Sequence, residues 1–362
     1  MNKHLQDLLR KASQLTQSGR LAEATEAIQR LLHGHKSSSA PKSATARPRT
    51  TTPDAQDHAA AETTEKQHAG EFVSGTHSHQ HITRRYKLYI PPKHTGKALP
   101  LVVMLHGCKQ NPDDFAAGTG MNQRAQAQGF FVLYPEQSKD ANPSACWNWF
   151  KHNHQQRGSG EPALIASLTQ TITQQYDIDA QRVYVAGLSA GGAMAAVLAV
   201  AYPDVFAALG VHSGLPAGAA SSVAQALMVM KTGRSSFSLA DLGLGTSTSP
   251  ATHTVITLPT IVFHGDADST VHLHNAEQLV ASVLGQAPEP PLVTQGRSTH
   301  GQAYTRSIWP AGPGHALTEY WVLHGAGHAW SGGRIEGTYT DPQGVDASGE
   351  MLRFFLSQRL QA

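Results

Sequence analysis

The strand, turn and helix signature around Ser189 constrains the fold of this chain more than any other feature of the sequence. The apolar run RVYVAG predicts a buried strand, and the small-residue run AGGAMAAVLAVAY predicts a helix that begins directly after Ser189. Gly187 and Gly191 flank the serine because a side chain at either position would strike the neighbouring strand or helix. This context predicts a serine nucleophile on a tight, strained turn, rather than a small-residue turn with an exposed serine.

Strands and helices alternate along most of the chain. Apolar runs such as LVVML, FFVLYP and TIVFHG predict buried strands, and the segments between them include helical patterns. This order predicts an α/β fold with a mostly parallel central sheet flanked by helices. We assign residues 81–362 to this catalytic domain. Residues 217–257 interrupt the alternation with a Gly/Ser/Thr-rich stretch, and we interpret them as an insertion over the carboxyl edge of the sheet.

The first 80 residues differ from the rest of the chain in composition and in the spacing of their apolar residues. Two apolar stripes at helical spacing predict a helical hairpin over residues 1–33, for docking and self-association or for binding and targeting to a surface. Residues 34–80 have few large apolar side chains and predict a flexible linker. Within it, His77, His79 and His81 could gather a metal ion. No cysteine or carboxylate cluster completes such a site, so the sequence favours a solvated linker without a metal.

A serine nucleophile needs a general base, and the base needs a carboxylate that orients it. Asp266 and Asp268 follow the strand TIVFHG, and the pattern His-Gly-x-x-Asp-x-x-Val favours Asp268, with Asp266 as a turn residue. His324 ends the strand TEYWVL, whereas His328 lies in a glycine-rich loop that can reach across to the serine turn. We therefore predict a triad of Ser189, Asp268 and His328, with His324 in a structural role.

The tetrahedral intermediate of acyl transfer needs two donors for its oxyanion. One predicted donor is the backbone N–H of Ala190 at the amino end of the helix, where the helix dipole also favours negative charge. The other is the backbone N–H of Cys108, in the loop after the strand LVVML. His106, beside Gly107, is expected to brace this loop rather than to act as the base, although it remains a candidate for contact with substrate.

Composition excludes several classes of function. The chain has 362 residues and a net charge of +2 with histidine neutral, which argues against nucleic acid as the main partner. No apolar run reaches the length of a membrane span. The first residues, MNKHLQDLLRKASQ, lack the apolar core of a secretory signal, so the sequence favours a cytoplasmic protein. Two cysteines form either one pair or two free thiols.

The stretch SACWNWFKHN follows the predicted strand FFVLYP and should border the same sheet edge as Ser189. Its two indoles, Trp147 and Trp149, either fill the gap between loop and core or line a substrate pocket. We expect at least one of them to line the acyl or alcohol pocket, with Trp330 near His328 on the opposite wall.

Several motifs together resemble the polyhydroxybutyrate depolymerase family of α/β-hydrolase esterases, to which feruloyl and acetylxylan esterases are related. The motifs are LHGCKQNPDDFAAGTGMN, VLYPEQ, CWNWF, RGSGEPALI, RVYVAGLSAGGAMAAVLA and GAGHAWSGG, and the resemblance covers about residues 82 to 360. It implies an α/β-hydrolase fold and hydrolysis of ester bonds in short-chain polyhydroxyalkanoates. The motifs place the triad on Ser189, Asp268 and His328, and the chemistry needs no metal or organic cofactor.

The chain departs from many secreted relatives because it shows a hairpin and linker where they carry a signal peptide and an added substrate-binding domain. The resemblance therefore implies an intracellular depolymerase that acts on storage granules, with residues 1–33 as a candidate for contact with the granule surface. It also implies that Cys108 and Cys146 face each other near the site. A cytoplasmic location favours proximity without a permanent disulfide.

Two other functions compete with depolymerisation of polyhydroxybutyrate. The same chemistry could act on soluble or carbohydrate-linked esters, because substrate choice lies in the pocket and not in the triad. A granule-associated protein without a catalytic role is a third interpretation, which the complete triad disfavours.

Overall fold

The central sheet of the computed structural model contains ten strands, counted over the residues that the structure describes, which are 70–92, 97–233, 254–285, 289–314 and 316–360. In chain order the strands are β1 Glu71–His79, β2 Ile82–Ile90, β3 Leu99–Leu105, β4 Phe131–Pro135, β5 Ile178–Leu188, β6 Ala208–His212, β7 Thr260–Gly265, β8 Leu292–Arg297, β9 Ala303–Trp309 and β10 Thr318–Leu323. Their order across the sheet is β1-β2-β4-β3-β5-β6-β7-β10-β9-β8.

The middle of the sheet is parallel and its two ends are antiparallel. The six middle strands, β4, β3, β5, β6, β7 and β10, run parallel to one another. The pairs β1 with β2, β2 with β4, β9 with β10 and β8 with β9 are antiparallel. The middle strands are continuous apolar runs because helices cover both faces, as the fully buried FVLYP of β4 shows. The predicted mostly parallel sheet is confirmed. The prediction lacked β8 and β9, whose sequences LVTQGR and AYTRSIW contain no continuous apolar run.

Helices cover both faces of the sheet and give the predicted three layers. One apolar cluster joins the sheet to the helices that follow β4, β5, β6 and β7, and a second joins it to the two helices after β3 and the last helix. The described helices are α1 Pro112–Thr119, α2 Met121–Gln128, α3 Gly160–Gln175, α4 Ala190–Ala201, α5 Val223–Thr232, α6 His274–Leu284 and α7 Ala347–Leu356. A short pair, β11 Trp330–Ser331 and β12 Thr340–Asp341, and a 3-10 turn, His152–His154, complete these elements.

The amino-terminal part of the described fold corrects one domain boundary. We predicted a linker over residues 34–80, but Glu71–His79 form β1, which pairs along its whole length with β2. The linker prediction is therefore wrong for this segment. Its alternating side chains form an edge strand, in which His77 donates or accepts a hydrogen bond with the Ser167 hydroxyl at 3.0 Å. The hairpin predicted over 1–33, and the linker up to residue 69, lie outside the described residues.

The segment predicted as an insertion contains α5, and its residues 234–253 lie outside the described residues. Backbone and side-chain bonds hold the carboxyl end of α5 to the segment between β7 and α6. The amide of His272 donates to the carbonyl of Met230 at 2.7 Å, and the Asn275 side chain donates to the carbonyl of Val229 at 2.9 Å. Helix α5 is therefore fixed beside the loop that carries Asp268.

A buried carboxylate holds the CWNWF loop against the sheet. Glu161, the second residue of α3, accepts hydrogen bonds from the amide and side chain of Asn148 at 2.8 and 2.7 Å, and from the Gln137 side chain at 2.5 Å. Arg84 and His154 lie 3.7 and 3.4 Å from its oxygens. Burial opposes ionisation of Glu161, but the hydrogen bonds from His154, Gln137 and Asn148 outweigh it and lower the pKa of this carboxyl.

Replacing Glu161 with alanine should lower the free energy of unfolding by about 3–5 kcal/mol, because it leaves buried donors without their acceptor. Glu136→Ala is the matched control, since Glu136 pairs with the exposed Arg85 at the surface, and it should cost no more than about 1 kcal/mol. Urea unfolding of the two variants measures the difference. Equal losses would show that the buried network does not anchor the loop.

Candidate active site

The turn between β5 and α4 holds Ser189 in a strained backbone conformation. Ser189 has φ 56° and ψ −120°, outside the regions that residues with a side chain ordinarily occupy. A Cβ atom at Gly187 would overlap the backbone of Gly191, and a Cβ atom at Gly191 would overlap the carbonyl of Leu105 on the neighbouring strand β3. The turn therefore depends on both glycines, and Ser189 at its apex lines the cavity described below.

Asp268 and His328 form a direct hydrogen bond. Nδ1 of His328 lies 2.7 Å from Oδ2 of Asp268, while Oδ1 of Asp268 accepts the amides of Thr270 and Val271 at 2.8 and 2.9 Å. Burial opposes ionisation of Asp268, but the hydrogen bond and charge of His328 outweigh it and hold the pKa of the carboxyl low. The ionised carboxylate can fix the imidazole so that its Nε2 remains free to accept a proton.

A second acid and histidine pair lies beside the first. Nδ1 of His324 lies 2.9 Å from Oδ2 of Asp266, and Oδ1 of Asp266 accepts the amide of Gly325 at 2.7 Å. Nε2 of His324 is hydrogen-bonded to the Thr305 hydroxyl at 2.8 Å. Asp266 thus joins the loop after β7 to the loop after β10, rather than only turning its own backbone as the sequence suggested. The pair is partly exposed, and neither residue lines the cavity described below.

Two buried histidines lie under the Asp268 and His328 loops. His264 Nε2 donates to the carbonyl of Val271 at 2.8 Å and lies 3.6 Å from Asp268. His212 accepts the amide of Ser331 on its Nε2 at 3.0 Å. Burial lowers the pKa of His264, and it lowers the pKa of His212 to about 3, so both rings are neutral at pH 7. They support the loops without adding charge beneath the Asp268 and His328 pair.

The loop after β3 leaves one amide available for an oxyanion. The amide of Gly107 donates to the Gln110 side chain at 2.9 Å, and the amide of Lys109 donates to the carbonyl of Ser144 at 2.7 Å. Within the described part of the chain, the amide of Cys108 between them has no hydrogen-bond acceptor. Ala190 begins α4, so its N–H also lacks an acceptor within the helix. Both residues line the same cavity as Ser189.

Cys108 and Cys146 form a disulfide, with an S–S distance of 2.06 Å. The sequence left open whether the two cysteines form a bond, with a lean toward neighbouring thiols. The structure shows the bond, and it confirms the proximity that the resemblance implied. The two loops meet because the amide of Lys109 bonds the carbonyl of Ser144, two residues before Cys146. The bridge covalently joins the loop after β3, which carries the free amide of Cys108, to the CWNWF loop.

Ser189 and His328 open on one apolar cavity of about 330 Å³. Trp149 lines it, as expected for at least one indole of the CWNWF stretch. Helix α5 forms another wall with Leu227 and Met230, which the sequence analysis did not name. The apolar run VAQALMVM inside the predicted insertion could have indicated these residues. An apolar helix face that lies over the edge of the sheet packs either against the core or against the site.

Three residues predicted as candidates for substrate contact lie behind the cavity rather than in it. Trp147 is fully buried and donates its indole N–H to the carbonyl of His106 at 3.1 Å. His106 accepts the amide of Gln137 at 3.1 Å and braces the loop. Trp330 stacks on His212 and donates to the Ser348 hydroxyl at 3.0 Å. Their polar atoms are satisfied by protein groups, so we no longer assign them a substrate contact.

No group of three or more metal-binding side chains clusters in the described ranges of the chain. The histidines at 77, 79 and 81 therefore do not form such a group. The described helices also include none that is long and apolar enough to cross a membrane.

Comparison with known proteins relates this site to esterases. The family model described as Esterase PHB depolymerase matches residues 84–287, more than half of the chain. Poly(3-hydroxyalkanoate) depolymerase C of Paucimonas lemoignei is 32% identical over 254 residues, which cover 67% of this chain and 56% of that protein. Acetylxylan esterase A of Emericella nidulans is 33% identical over 138 residues, which cover 37% of this chain and 43% of that protein. The matched regions thus span about half the length of these relatives.

The solved structure of an acetyl xylan esterase from Aspergillus awamori superposes on the chain with a TM-score of 0.56 at 21% identity. The superposition covers 75% of this chain and 93% of that one. At this level of identity the likeness concerns the fold, and the predicted α/β-hydrolase fold is confirmed.

The two neighbouring acid and histidine pairs provide a matched test of the triad. Asp268→Asn should lower kcat on p-nitrophenyl butyrate by about ten-thousand-fold, because the imidazole of His328 loses the carboxylate that fixes its tautomer. Asp266→Asn changes the same functional group two residues away and should lower kcat by less than about tenfold. Steady-state kinetics on both variants measures this. Comparable losses, or a larger loss for Asp266→Asn, would contradict the assignment.

Proposed function

Because the chain belongs to the Esterase PHB depolymerase family, we propose that it is a serine esterase of poly(3-hydroxybutyrate) or related short-chain polyhydroxyalkanoates. The products are oligomers and 3-hydroxybutyrate. One observation carries the proposal, namely that the strained Ser189 turn and the Asp268-bound His328 open on the same apolar cavity.

The proposed reaction follows from the roles of these side chains. Ser189 Oγ attacks the ester carbonyl while Nε2 of His328 takes the hydroxyl proton, and Asp268 stabilises the imidazolium that forms. The amides of Cys108 and Ala190 stabilise the oxyanion, with the amino end of α4 adding favourable potential. The imidazolium then gives its proton to the leaving alcohol. Water activated by the same histidine hydrolyses the acyl-enzyme and releases the carboxylic acid.

The cavity walls favour a short, apolar acyl unit. Leu215, Leu227 and Met230 face the same space as Trp149, so the methyl-bearing units of a short-chain polyester would lose contact with water on binding. Each methylene buried on binding contributes about 0.8 kcal/mol to the binding free energy. A chain of repeating apolar units therefore gains more from this cavity than a single acetyl group does.

A second candidate function has support from the comparisons. The chain is also similar in sequence to proteins named acetylxylan esterase A and feruloyl esterase B. Hydrolysis of soluble or carbohydrate-linked esters is therefore the alternative function. The triad serves both substrate classes equally, and the pocket decides between them. A granule-associated protein without catalysis is disfavoured, because the serine turn and the paired histidine would then have no use.

We keep a cytoplasmic location at storage granules, with contact or self-association through residues 1–33, as a separate proposal. The disulfide between Cys108 and Cys146 argues against it, because such bonds persist mainly in oxidising compartments. Alkylation of thiols in intact cells, followed by mass spectrometry of both cysteines, tests it. Alkylated cysteines agree with the cytoplasm, whereas fully protected cysteines would overturn that location.

Replacing Ser189 with alanine should abolish release of 3-hydroxybutyrate from amorphous granules, because no other described serine or threonine combines a strained turn with the cavity. The wild-type protein should hydrolyse the polymer and p-nitrophenyl butyrate, with methyl ferulate and acetylated xylan as competing substrates. Granule hydrolysis that persists in Ser189→Ala would contradict the nucleophile. Activity restricted to the ferulate or xylan esters would favour the second function.

A further inference from the structure

Among the described residues that line the cavity, Lys109 alone has an ammonium or guanidinium group. It lines the cavity beside the disulfide, and no aspartate or glutamate is found among the described residues of the lining. The rest of the lining is apolar or neutral, apart from the catalytic imidazole. A polyester backbone is itself uncharged, so the catalytic reaction gives no role to this ammonium group.

The backbone at Lys109 is in a conformation that disfavours a lysine. Its φ is 68°, in the left-handed region, and its amide is tied to the carbonyl of Ser144. Glycine or asparagine adopts this conformation at lower cost, whereas other residues lose about 1 kcal/mol or more. Strained residues of this kind concentrate at functional sites, and Ser189 and Tyr339 of the same cavity also have positive φ values. The side chain of Lys109 is therefore the feature that needs explanation.

Several cations at the surface of the described protein pair with a carboxylate, whereas Lys109 does not. Lys87, Arg85 and Arg157 each pair with a carboxylate, namely Asp113, Glu136 and Asp204. Within the described ranges, Lys109 forms no such pair and its ammonium has no hydrogen-bond acceptor. Its side chain is exposed at the mouth of the cavity, where a charged group of the substrate can reach it.

We propose that Lys109 binds the terminal carboxylate of short hydroxyacyl oligomers. The inference rests on the proposed function. Hydrolysis of each ester bond leaves one carboxylate on a product, so short oligomers are anions while the parent polymer is almost neutral. A dimer or trimer can place its apolar units against the apolar wall of α5 and its carboxylate near the ammonium group of Lys109. A carbohydrate ester has no such group, so Lys109 favours oligomers of hydroxy acids over the second class of substrates.

The test compares one substrate in two forms, the 3-hydroxybutyrate dimer as its free acid and as its methyl ester. In the wild type, kcat/KM should be higher for the free acid. Lys109→Asn removes the charge while fitting the left-handed backbone, and it should lower the ratio of the two kcat/KM values by about tenfold. Lys109→Arg keeps the charge and should retain most of the preference. Lys139→Asn, an exposed lysine outside the cavity, is the matched control.

Several outcomes would overturn the proposal. An unchanged ratio of the two kcat/KM values in Lys109→Asn, or an equal loss of kcat/KM on both substrates, would show that Lys109 does not bind the carboxylate. Salt provides a second measurement that needs no variant, since the wild-type preference should fall between about 0.05 and 0.5 M ionic strength. A preference that does not respond to salt would contradict an ion pair. Failure of the wild type on both dimers and on granules would instead reject the proposed function.

Discussion

The close approach of α4 to β3 at Gly191 is the constraint on which the site depends. The helix begins so near the carbonyl of Leu105 that only glycine fits, and this forces Ser189 into its positive φ. Because β3 and β5 are paired, with Leu105 opposite Gly187, the loops that follow the two strands emerge side by side. The amide of Cys108, which we propose as an oxyanion donor, is therefore a neighbour of the serine turn through the register of the sheet.

Buried polar groups position the other loops. Asp268 accepts two amides of its own loop and the His328 ring, while Asp266 ties the base of the same loop to the amide of Gly325. On the other side, Glu161 holds the CWNWF loop through Asn148, and the disulfide joins that loop to the oxyanion loop. Each of these groups is paired, so the cost of burying it is offset by bonds that also fix the geometry.

The sequence predicted the features that depend on local chemistry. Glycine spacing around Ser189 predicted the turn, and apolar runs predicted the parallel strands, because both follow from residue size and period. Tertiary features were harder to predict. Trp147 and Trp330 lie in the same stretches as residues of the site, yet each turns its indole into the core toward an acceptor, which spacing along the chain cannot reveal. Strand β1 was missed because its sequence is polar and its extended conformation depends on pairing with β2.

We propose that ester hydrolysis passes through an acyl-enzyme on Ser189. Rapid quenching of the protein with a 3-hydroxybutyrate oligomer, followed by peptide mass spectrometry, tests this claim most directly. We expect a hydroxyacyl group on the peptide that contains Ser189, appearing before steady state, and no such group in the Ser189→Ala variant. A hydroxyacyl group on another side chain, or pre-steady-state turnover by the wild type without any covalent adduct on this peptide, would contradict an acyl-enzyme on Ser189.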